Sequence, residues 1–403
     1  MSEVQNGLSA IQLSILRIQD SDVIKNRIVR LKGIEPSPQI RILSLKMIAP
    51  RFNANFLFRK IHYFYGLVVF LSNGNIHAQH GLMVSQLLGQ TNTAPTALPF
   101  LMISPDARAG GLGDAGGASS PDANSIYWNA SKLPFIDNKM GVSISYTPWL
   151  RALVPDINLT SFSIYWKFKG NQVIAASMRY FSLGDVSLIS PPATKLSFRP
   201  KEMAYDLAYS RRFGEHFSTG ITGRYIYSNF TNEGKAFTGT SHPVETLAVD
   251  FSAFYHNDKI KLAGKNSVIS LGINVSNVGA KVTYADSSSK DFMPTNMRLG
   301  GAFLIDLNRR NSISLIADFN KLLIPNQQQN NICGGIEYWL DQICAIRTGY
   351  FYENSRAGNR KYYTVGMGLK YYACGLDIAY LVPLDERSPL QDTMRIALWC
   401  NFN

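Results

Sequence analysis

Three glycines, Gly111, Gly113 and Gly116, spell the pattern G-x-G-x-x-G, whose best-known chemistry is the binding of a dinucleotide pyrophosphate. That chemistry needs a buried strand before the first glycine and a helix after the last, so that the phosphates meet the helix N-terminus. Pro99 and Pro105 interrupt the sequence upstream, and the Gly/Ser/Pro-rich stretch downstream is a poor helix start. The pattern therefore does not predict a nucleotide site.

No other motif supplies catalytic or metal-binding chemistry. The chain has neither a G-x-S-x-G nucleophile turn nor an H-E-x-x-H zinc motif, and its four cysteines lack C-x-x-C spacing. Each cysteine lies in an apolar or aromatic run, where a thiol packs as a small hydrophobic group, although a Cys333–Cys344 bridge stays open in an oxidising compartment. We predict that the protein is not an enzyme and has no catalytic residues, no metal and no cofactor.

Charge and composition argue against a nucleic-acid partner and against membrane-spanning helices. The net charge is +12, but residues 1–78 hold 10 of the 40 basic and 4 of the 28 acidic residues, which leaves 30 against 24, or +6, on the rest. No basic run suggests a nucleic-acid groove. Charged residues make up only 17% and aromatic residues 12%, which favours β-structure. No uninterrupted apolar run reaches the roughly 18 residues of a transmembrane helix.

The first 78 residues resemble a targeting region. Arg51, Arg59 and Lys60 precede the apolar stretch Ile61–Leu71, and a small-residue site follows at Ala78. We predict a signal peptide over residues 47–78, with a buried strand or helix as the alternative. Residues 1–46 are then expected to be a mis-annotated or disordered extension, with a genuine extension that forms an amphipathic helix over Leu8–Leu45 as the alternative.

From residue 140 onward, the sequence repeats segments of about ten residues in which apolar and polar side chains alternate, which is the period of a β-strand. Leu271 and Ile273, for example, alternate with Ser270, Gly272 and Asn274. The predicted strands are about fourteen in number: 140–150, 160–169, 171–181, 204–212, 217–229, 246–256, 267–278, 296–306, 311–321, 331–340, 343–353, 362–371, 374–383 and 394–402.

The strand lengths and connections predict an outer-membrane barrel. A transmembrane strand needs about 9–11 residues, longer than is usual in a soluble sandwich. Tight connections, as at Gly170 and Asp341-Gln342, alternate with long ones at 182–203, 257–266 and 280–295. Aromatic pairs near strand ends are expected to form interfacial girdles: Tyr165-Trp166, Tyr338-Trp339 and Tyr371-Tyr372. The last strand, which ends near Phe402, resembles the insertion signal of such proteins.

With a barrel predicted, residues 99–133 resemble the N-terminal block of the PorV/PorQ family of type IX secretion proteins, which are similar to FadL-type barrels. The resemblance covers about residues 95–403 and is most specific over 103–109, 113–116 and 127–132. Ala130 and Ser131 depart from the family pattern Trp-Asn-Pro-Ala-Lys, so a looser turn is expected there. The resemblance implies an all-β, transmembrane antiparallel barrel of about 14 strands (140–403) with an N-terminal hatch (79–139) in its lumen.

Small and polar side chains suit such a hatch, because its backbone must pair with lumen groups or water. A flexible periplasmic linker is the alternative. The predicted hatch residues are Asp106, Arg108, Gly111, Gly113, Asp114, Gly116, Trp128, Asn129 and Lys132.

The family resemblance implies a non-enzymatic role in the bacterial outer membrane. Its members take cargo with C-terminal signal domains from the SprA translocon to an attachment complex with PorU, where cargo joins lipopolysaccharide. The loops 182–203 and 280–295 are the candidate cargo contacts, with Leu188, Ile189 and Phe198 as apolar anchors. The alternatives are a FadL-like channel for hydrophobic small molecules and a PorQ-like subunit of the attachment complex.

Overall fold

The computed structural model describes residues 96–403 except 152–153, 155, 191–193, 231–242, 285–289, 326–328, 355–357 and 386–387. The extension predicted over 1–46, the signal peptide over 47–78 and the first part of the hatch segment lie outside the described residues. Among the residues that are described, no helix is long and apolar enough to cross a membrane.

Fourteen antiparallel strands close into a barrel, and two further strands form a separate hairpin. In chain order the sixteen are β1 Met140–Pro148, β2 Asn158–Lys169, β3 Gln172–Ser182, the hairpin β4 Val186–Ser190 and β5 Thr194–Phe198, β6 Lys201–Phe213, β7 Phe217–Asn229, β8 Val244–Leu262, β9 Lys265–Gly279, β10 Asn296–Asp306, β11 Ser312–Leu322, β12 Asn330–Leu340, β13 Cys344–Glu353, β14 Lys361–Tyr371, β15 Cys374–Pro383 and β16 Met394–Phe402. The first and last strands pair, with Met140 opposite Phe402, so the barrel sheet has no free edge. The predicted fold class is confirmed.

The alternation predicted from sequence separates the outside of the barrel from its lumen. Leu247 and Leu271 point outward and are 67% and 55% exposed, whereas Asp250 and Asn274 point inward and are only 3% exposed. Closing the sheet satisfies its backbone hydrogen bonds, which a bilayer requires. The apolar face is therefore the outer wall, and the polar face surrounds the lumen.

Short and long connections alternate along the barrel. Six connections of two to five residues lie at the end that also holds Met140 and Phe402, and we call this the short-turn end. Seven connections of seven to eighteen residues lie at the opposite, long-loop end. Short turns face the periplasm in barrels of this kind. The prediction of a long loop at 257–266 is wrong, because β8 and β9 continue to a two-residue turn at Ala263 and Gly264, which have φ values of 50° and 79°.

The aromatic pairs also needed correction, because neighbouring residues of a strand face opposite sides. Trp166 is 57% exposed on the outer wall, but Tyr165 is fully buried in the lumen. Trp339 likewise lines an internal cavity. Only at the turn after β14 are both members of a pair, Tyr371 and Tyr372, strongly exposed, each at 72%.

Two of the four cysteines form a disulfide, and it is not the bridge left open from the sequence. Cys374 on β15 is bonded to Cys400, its direct partner on β16. Cys333 and Cys344 are free. The pairing follows strand register, which brings residues 374 and 400 face to face.

The segment before β1 fills the lumen as a series of short helical turns. These are η1 Pro99–Met102, α1 Ala107–Gly110, α2 Ser125–Trp128 and η2 Ala130–Phe135. The described chain begins at the long-loop end, where Thr96 pairs with Phe292, and it reaches β1 at the short-turn end. Phe100 stacks on Phe181 near the start of this path. We call residues 96–139 the hatch.

Candidate functional site: the hatch interface in the barrel lumen

Asp106 caps α1 and ties the two α-helical turns of the hatch together. Its carboxylate accepts hydrogen bonds from the backbone N–H groups of Arg108 (2.9 Å) and Ala109 (3.2 Å), which a helix start leaves without partners. It also accepts from Asn124 Nδ2 at 3.3 Å and Trp128 Nε1 at 3.2 Å. Burial, helped by neighbouring carboxylates, raises the pKa of Asp106 to about 6. One side chain thus fixes both α1 and the Trp128 ring.

Arg108 joins the hatch to the barrel wall through the lower cluster, which comprises Arg108, Asp122, Glu337, Arg347 and Asp377. Arg108 bonds both oxygens of Glu337, at 3.0 and 2.8 Å, and lies 3.1 Å from Asp122. Arg347 Nε donates to Glu337 at 2.7 Å, and Arg347 Nη1 donates to Asp377 at 2.6 Å. Glu337, Arg347 and Asp377 are all at least 96% buried, so removing one partner would leave an uncompensated charge.

Asp114 makes a second link to the wall, the upper cluster of Asp114, Tyr362 and Arg395. The Asp114 carboxylate accepts a hydrogen bond from Tyr362 Oη at 2.6 Å and a two-pronged contact from Arg395. Burial by itself would raise the pKa of Asp114, but the Arg395 guanidinium outweighs burial and holds that pKa below its ordinary value. The hatch is therefore tied to β14 and β16 by a carboxylate that stays charged.

Gly111 and Gly113 let the hatch backbone lie directly on the barrel wall. A Cβ on Gly113 would lie 2.6 Å from Tyr350 O, and its φ of 72° also favours glycine. A Cβ on Gly111 would lie 3.1 Å from the Cα of Gly366 on β14. In return, a Cβ on Gly349 of β13 would lie 2.2 Å from Gly113 N. Glycines on both sides of the interface are needed for this close approach.

The glycine-rich loop binds the barrel with the same groups that would hold a phosphate in a nucleotide site. The N–H groups of Gly116 and Gly117 both donate to Asp318 Oδ2 on β11, at 2.9 and 2.7 Å. Gly113 N donates to Thr364 Oγ1 at 2.9 Å. Successive N–H groups of this kind form an anion-binding concavity, and here a carboxylate of the wall fills it.

Trp128 covers the last glycine of the motif. A Cβ on Gly116 would lie 2.3 Å from the indole ring, and Arg298 Cζ stacks 4.5 Å from the ring centroid. Lys132 Nζ donates to Gly116 O at 2.7 Å and to Ser119 Oγ at 3.1 Å. Lys132 is fully buried, and this burial lowers its pKa to about 8.

The turn at Ala130 and Ser131 is held by barrel hydroxyls. Ser210 Oγ donates to Ala130 O at 2.7 Å, and Ser218 Oγ donates to Ser131 O. Asn129 caps η2 by accepting from Ser131 N at 3.1 Å. These contacts restrain the backbone where the family pattern has a proline ring.

The barrel side of this interface consists of buried charged residues that no sequence motif marked. Arg224 on β7 lies 2.5 Å from Asp206 and 2.8 Å from Asp250, and Arg179 on β3 donates to the hatch carbonyl of Leu101 at 3.3 Å. All four charged side chains are at least 96% buried. In the sequence these residues are charged side chains on the inward-facing side of predicted strands. Charged side chains at such positions would also be expected in a solvent-filled pore, so they do not by themselves indicate a hatch interface.

Two cavities flank the hatch. The upper cavity, toward the long-loop end, has a volume of about 370 Å³ and is walled by Phe100, Trp149 and Phe181, with Arg298 and Arg395 also in its lining. The lower cavity, toward the short turns, has a volume of about 360 Å³ and contains the lower cluster. The hatch therefore separates an upper cavity with a mostly apolar lining from a lower cavity with a more polar lining.

The predicted hatch residues all meet in the lumen, whereas the three predicted cargo contacts belong to another element. Leu188 and Ile189 lie on β4 and Phe198 lies on β5, in the hairpin that stands apart from the barrel sheet. Backbone register pairs Val186 with Phe198 and Leu188 with Leu196. The side chains of these hairpin residues lie outside the described part of the structure.

A closed barrel with antiparallel strands, an apolar outer wall and a lumen plugged by the preceding segment defines an outer-membrane β-barrel protein. Solved structures of similar proteins include the Pseudomonas putida toluene transporter TodX (12% identity, TM-score 0.45, covering 73% of this chain and 95% of that one). Others are the Ralstonia pickettii toluene transporter TbuX (11%, TM-score 0.46, 75% and 98%) and a Pseudomonas aeruginosa FadL homologue (12%, TM-score 0.43, 77% and 99%). A search of curated proteins found no match.

The family is shown by sequence. The model of the family described as "Type IX secretion system protein PorV" matches residues 87–329, which is more than half of the chain and includes the whole hatch, and the chain belongs to the PorV family. The protein is therefore an outer-membrane component of type IX secretion. The family predicted from residues 99–133 is confirmed.

Proposed function

We propose that this protein is a non-catalytic carrier that takes cargo with C-terminal signal domains from the SprA translocon to the attachment complex containing PorU. Membership of the PorV family supports a role in type IX secretion. The observation that carries the carrier role is the plugged lumen, because it leaves a polypeptide no open path through the barrel.

The plug is held by buried charges. Opening it would separate Arg108 from Glu337 and Asp114 from Arg395, and each of these pairs contains one side chain, Glu337 or Arg395, that is only 1% exposed. Breaking one buried pair by loss of a partner costs about 3–5 kcal/mol. A polypeptide therefore has no low-energy route through the barrel, and cargo would be held on its external surfaces, beside lipopolysaccharide.

The β4–β5 hairpin is the proposed cargo contact. It rises from the long-loop end, and its base is closed by an exposed Asp185–Arg199 ion pair at 2.8 Å. Leu188, Ile189 and Phe198 supply apolar residues in an element that pairs only with itself. Because its two ends are close together, the hairpin can be removed without stretching the barrel.

Deleting residues 186–198, so that Asp185 joins Arg199 through a short Gly-Ser linker, tests this proposal. We expect proteins with type IX C-terminal domains to accumulate in the periplasm, while the variant still shows heat-modifiable migration as a folded barrel. A matched control replaces the short turn 341–343 with the same linker and keeps normal secretion. Normal secretion by the hairpin variant would contradict the carrier proposal. If the hairpin variant instead lost only PorU-complex association, a PorQ-like role would be favoured.

A second candidate function, a channel for hydrophobic small molecules, is favoured by one observation. The upper cavity has apolar walls beside the hatch, as such a channel requires, and its volume of about 370 Å³ is within the range of small-molecule sites. Uptake of a hydrophobic small molecule by proteoliposomes tests it. Uptake by wild type that falls when Phe181→Arg fills the cavity would support the channel, and no uptake above empty liposomes would exclude it.

A further inference from the structure

We propose that the short-turn end carries a collar that binds the anionic headgroups of phospholipids in the periplasmic leaflet. Eight exposed lysines and arginines lie at this rim, outside the lower cavity, and we call them the basic collar: Lys139, Lys169, Arg211, Lys259, Lys261, Lys265, Arg309 and Arg310. Among the described residues at this end, only three acidic side chains are equally exposed, namely Asp137, Glu215 and Asp258. The rim therefore has a net excess of positive charge.

The opposite end of the described barrel has no such excess. Its exposed basic residues are Arg151, Arg199, Lys281, Lys290, Lys321 and Arg360, and its exposed acidic residues are Asp156, Asp185, Glu245, Asp385 and Asp392. Six positive charges against five nearly cancel. Among the described residues, the excess of positive charge is therefore confined to the short-turn end.

The collar lies beside aromatic side chains that mark the membrane interface. Trp166 is 57% exposed just before Lys169, and Phe213 is 49% exposed just after Arg211. The Arg211 guanidinium stacks 5.4 Å from the Phe213 ring. Because exposed aromatic residues sit at headgroup level, long basic side chains next to them can reach the phosphates.

The distribution of the collar favours a lipid leaflet over one protein partner. Basic residues occur before β1 and in or beside the turns β2–β3, β6–β7, β8–β9 and β10–β11, so they follow most of the circumference. A single acidic protein would meet a compact patch, whereas a leaflet surrounds the barrel. One collar member, Lys259, is already paired with Glu215. The remaining seven charges are the ones available to headgroups.

Spin-labelled lipids in proteoliposomes measure this binding directly. We expect spin-labelled phosphatidylglycerol to associate with the wild-type barrel about five-fold more strongly than spin-labelled phosphatidylcholine, the effect of one basic contact with an anionic headgroup. The collar variant Lys169→Gln, Arg211→Gln, Arg309→Gln, which changes residues at the rim itself, should clearly reduce this preference. The matched variant Arg151→Gln, Lys290→Gln, Lys321→Gln removes equal charge from the other rim and should keep it.

Salt and free phosphate separate the possible sources of the effect. Sodium chloride should weaken the preference, and inorganic phosphate at equal ionic strength should weaken it no further, since the collar recognises headgroups arrayed in a leaflet. Stronger competition by free phosphate would overturn the proposal. An unchanged lipid preference in the collar variant would also overturn the proposal. If the variant with unchanged lipid preference had also lost secretion, the collar would instead be assigned to binding an acidic protein. Heat-modifiable migration establishes that each variant is folded.

Discussion

A single carboxylate, Asp318, holds the glycine-rich loop at one place on the barrel wall. It accepts both the Gly116 and Gly117 N–H groups, and the Trp128 ring closes over the opposite side of Gly116. The loop is therefore held between Asp318 and the Trp128 ring, and a side chain at Gly116 would not fit between them. A glycine pattern typical of phosphate-binding loops thus serves here as a structural contact between hatch and barrel wall, and we call the contacts of Gly116 with Asp318 and Trp128 the clasp.

Gly116→Ala tests that clasp. The new methyl would lie 2.3 Å from the Trp128 ring, which Arg298 and the Asp106 hydrogen bond hold in place. We expect the free energy of unfolding to fall by about 2 kcal/mol, as is typical of overpacking in a fixed site. Urea titration of the folded band on unboiled gels measures the change. The control is Gly170→Ala, where a Cβ would meet nothing within 4 Å, and equal stability of both variants would contradict the clasp.

Lys132 gives the hatch a predictable pH dependence. The native pKa of Lys132, about 8, lies below the ordinary value of 10.5. Below pH 8 the side chain is charged in both states, so the full cost of burying that charge lowers the free energy of unfolding. Native stability should therefore rise as the pH increases from 8 to 10.5. Relative to Lys132→Met, which cannot titrate, we expect wild type to gain about 3 kcal/mol across this range.

Urea midpoints of the two proteins at pH 7, 8, 9 and 10 measure this gain. Lys169→Met, at an exposed strand end, serves as the control and should follow wild type. Parallel curves for wild type and Lys132→Met would mean that burial does not depress the Lys132 pKa.

At the scale of elements, the strands behave as their alternation predicts, and the exceptions have physical causes. The segment 257–266 is polar, which is typical of a loop. In the structure it forms the end of the β8–β9 hairpin, which extends past the neighbouring strands and therefore needs no apolar face. Its turn residues Ala263 and Gly264 both adopt the left-handed conformation of a tight hairpin. The usual Asn-Gly signal is absent, so composition alone indicated a loop.

The hairpin β15–β16 is closed by a disulfide whose contribution to the stability of the fold can be measured. Linking Cys374 to Cys400 across a separation of 26 residues should stabilise the fold by about 3 kcal/mol, mainly by restricting the unfolded chain. The double variant Cys374→Ser, Cys400→Ser should lose that stability in urea titrations without reductant. Cys344→Ser changes a free thiol and is the matched control. Equal midpoints for all three proteins would show that the bridge is not formed.

At the scale of the whole molecule, the hatch runs from one end of the lumen to the other. It starts beside Phe292 at the long-loop end and continues into β1 at the short-turn end, and it separates the upper cavity from the lower one. If the short turns face the periplasm, the described part of the hatch begins on the cell-surface side. The described hatch therefore extends through the lumen from one end of the barrel to the other.

Cysteine labelling in intact cells tests this path. We expect Thr96→Cys to react with a membrane-impermeant maleimide from outside the cell, because Thr96 lies among the long loops. Gly170→Cys, in a short turn where a side chain meets nothing within 4 Å, should react only after the outer membrane is permeabilised. The reverse pattern would invert the orientation, and labelling of both sites from outside would contradict the threaded hatch.

The sequence by itself determined the fourteen barrel strands, their inward and outward faces and the composition of the hatch, because alternation and turn residues are local properties of the chain. Only the tertiary structure decided which groups meet. Arg108 pairs with a residue 229 positions away, and Asp114 pairs with one 281 positions away. The need for glycine at the inward-facing positions Gly349 and Gly366 likewise becomes evident only from their close approach to the hatch backbone. Barrel closure and strand register bring these positions together, and neither leaves a local pattern in the sequence.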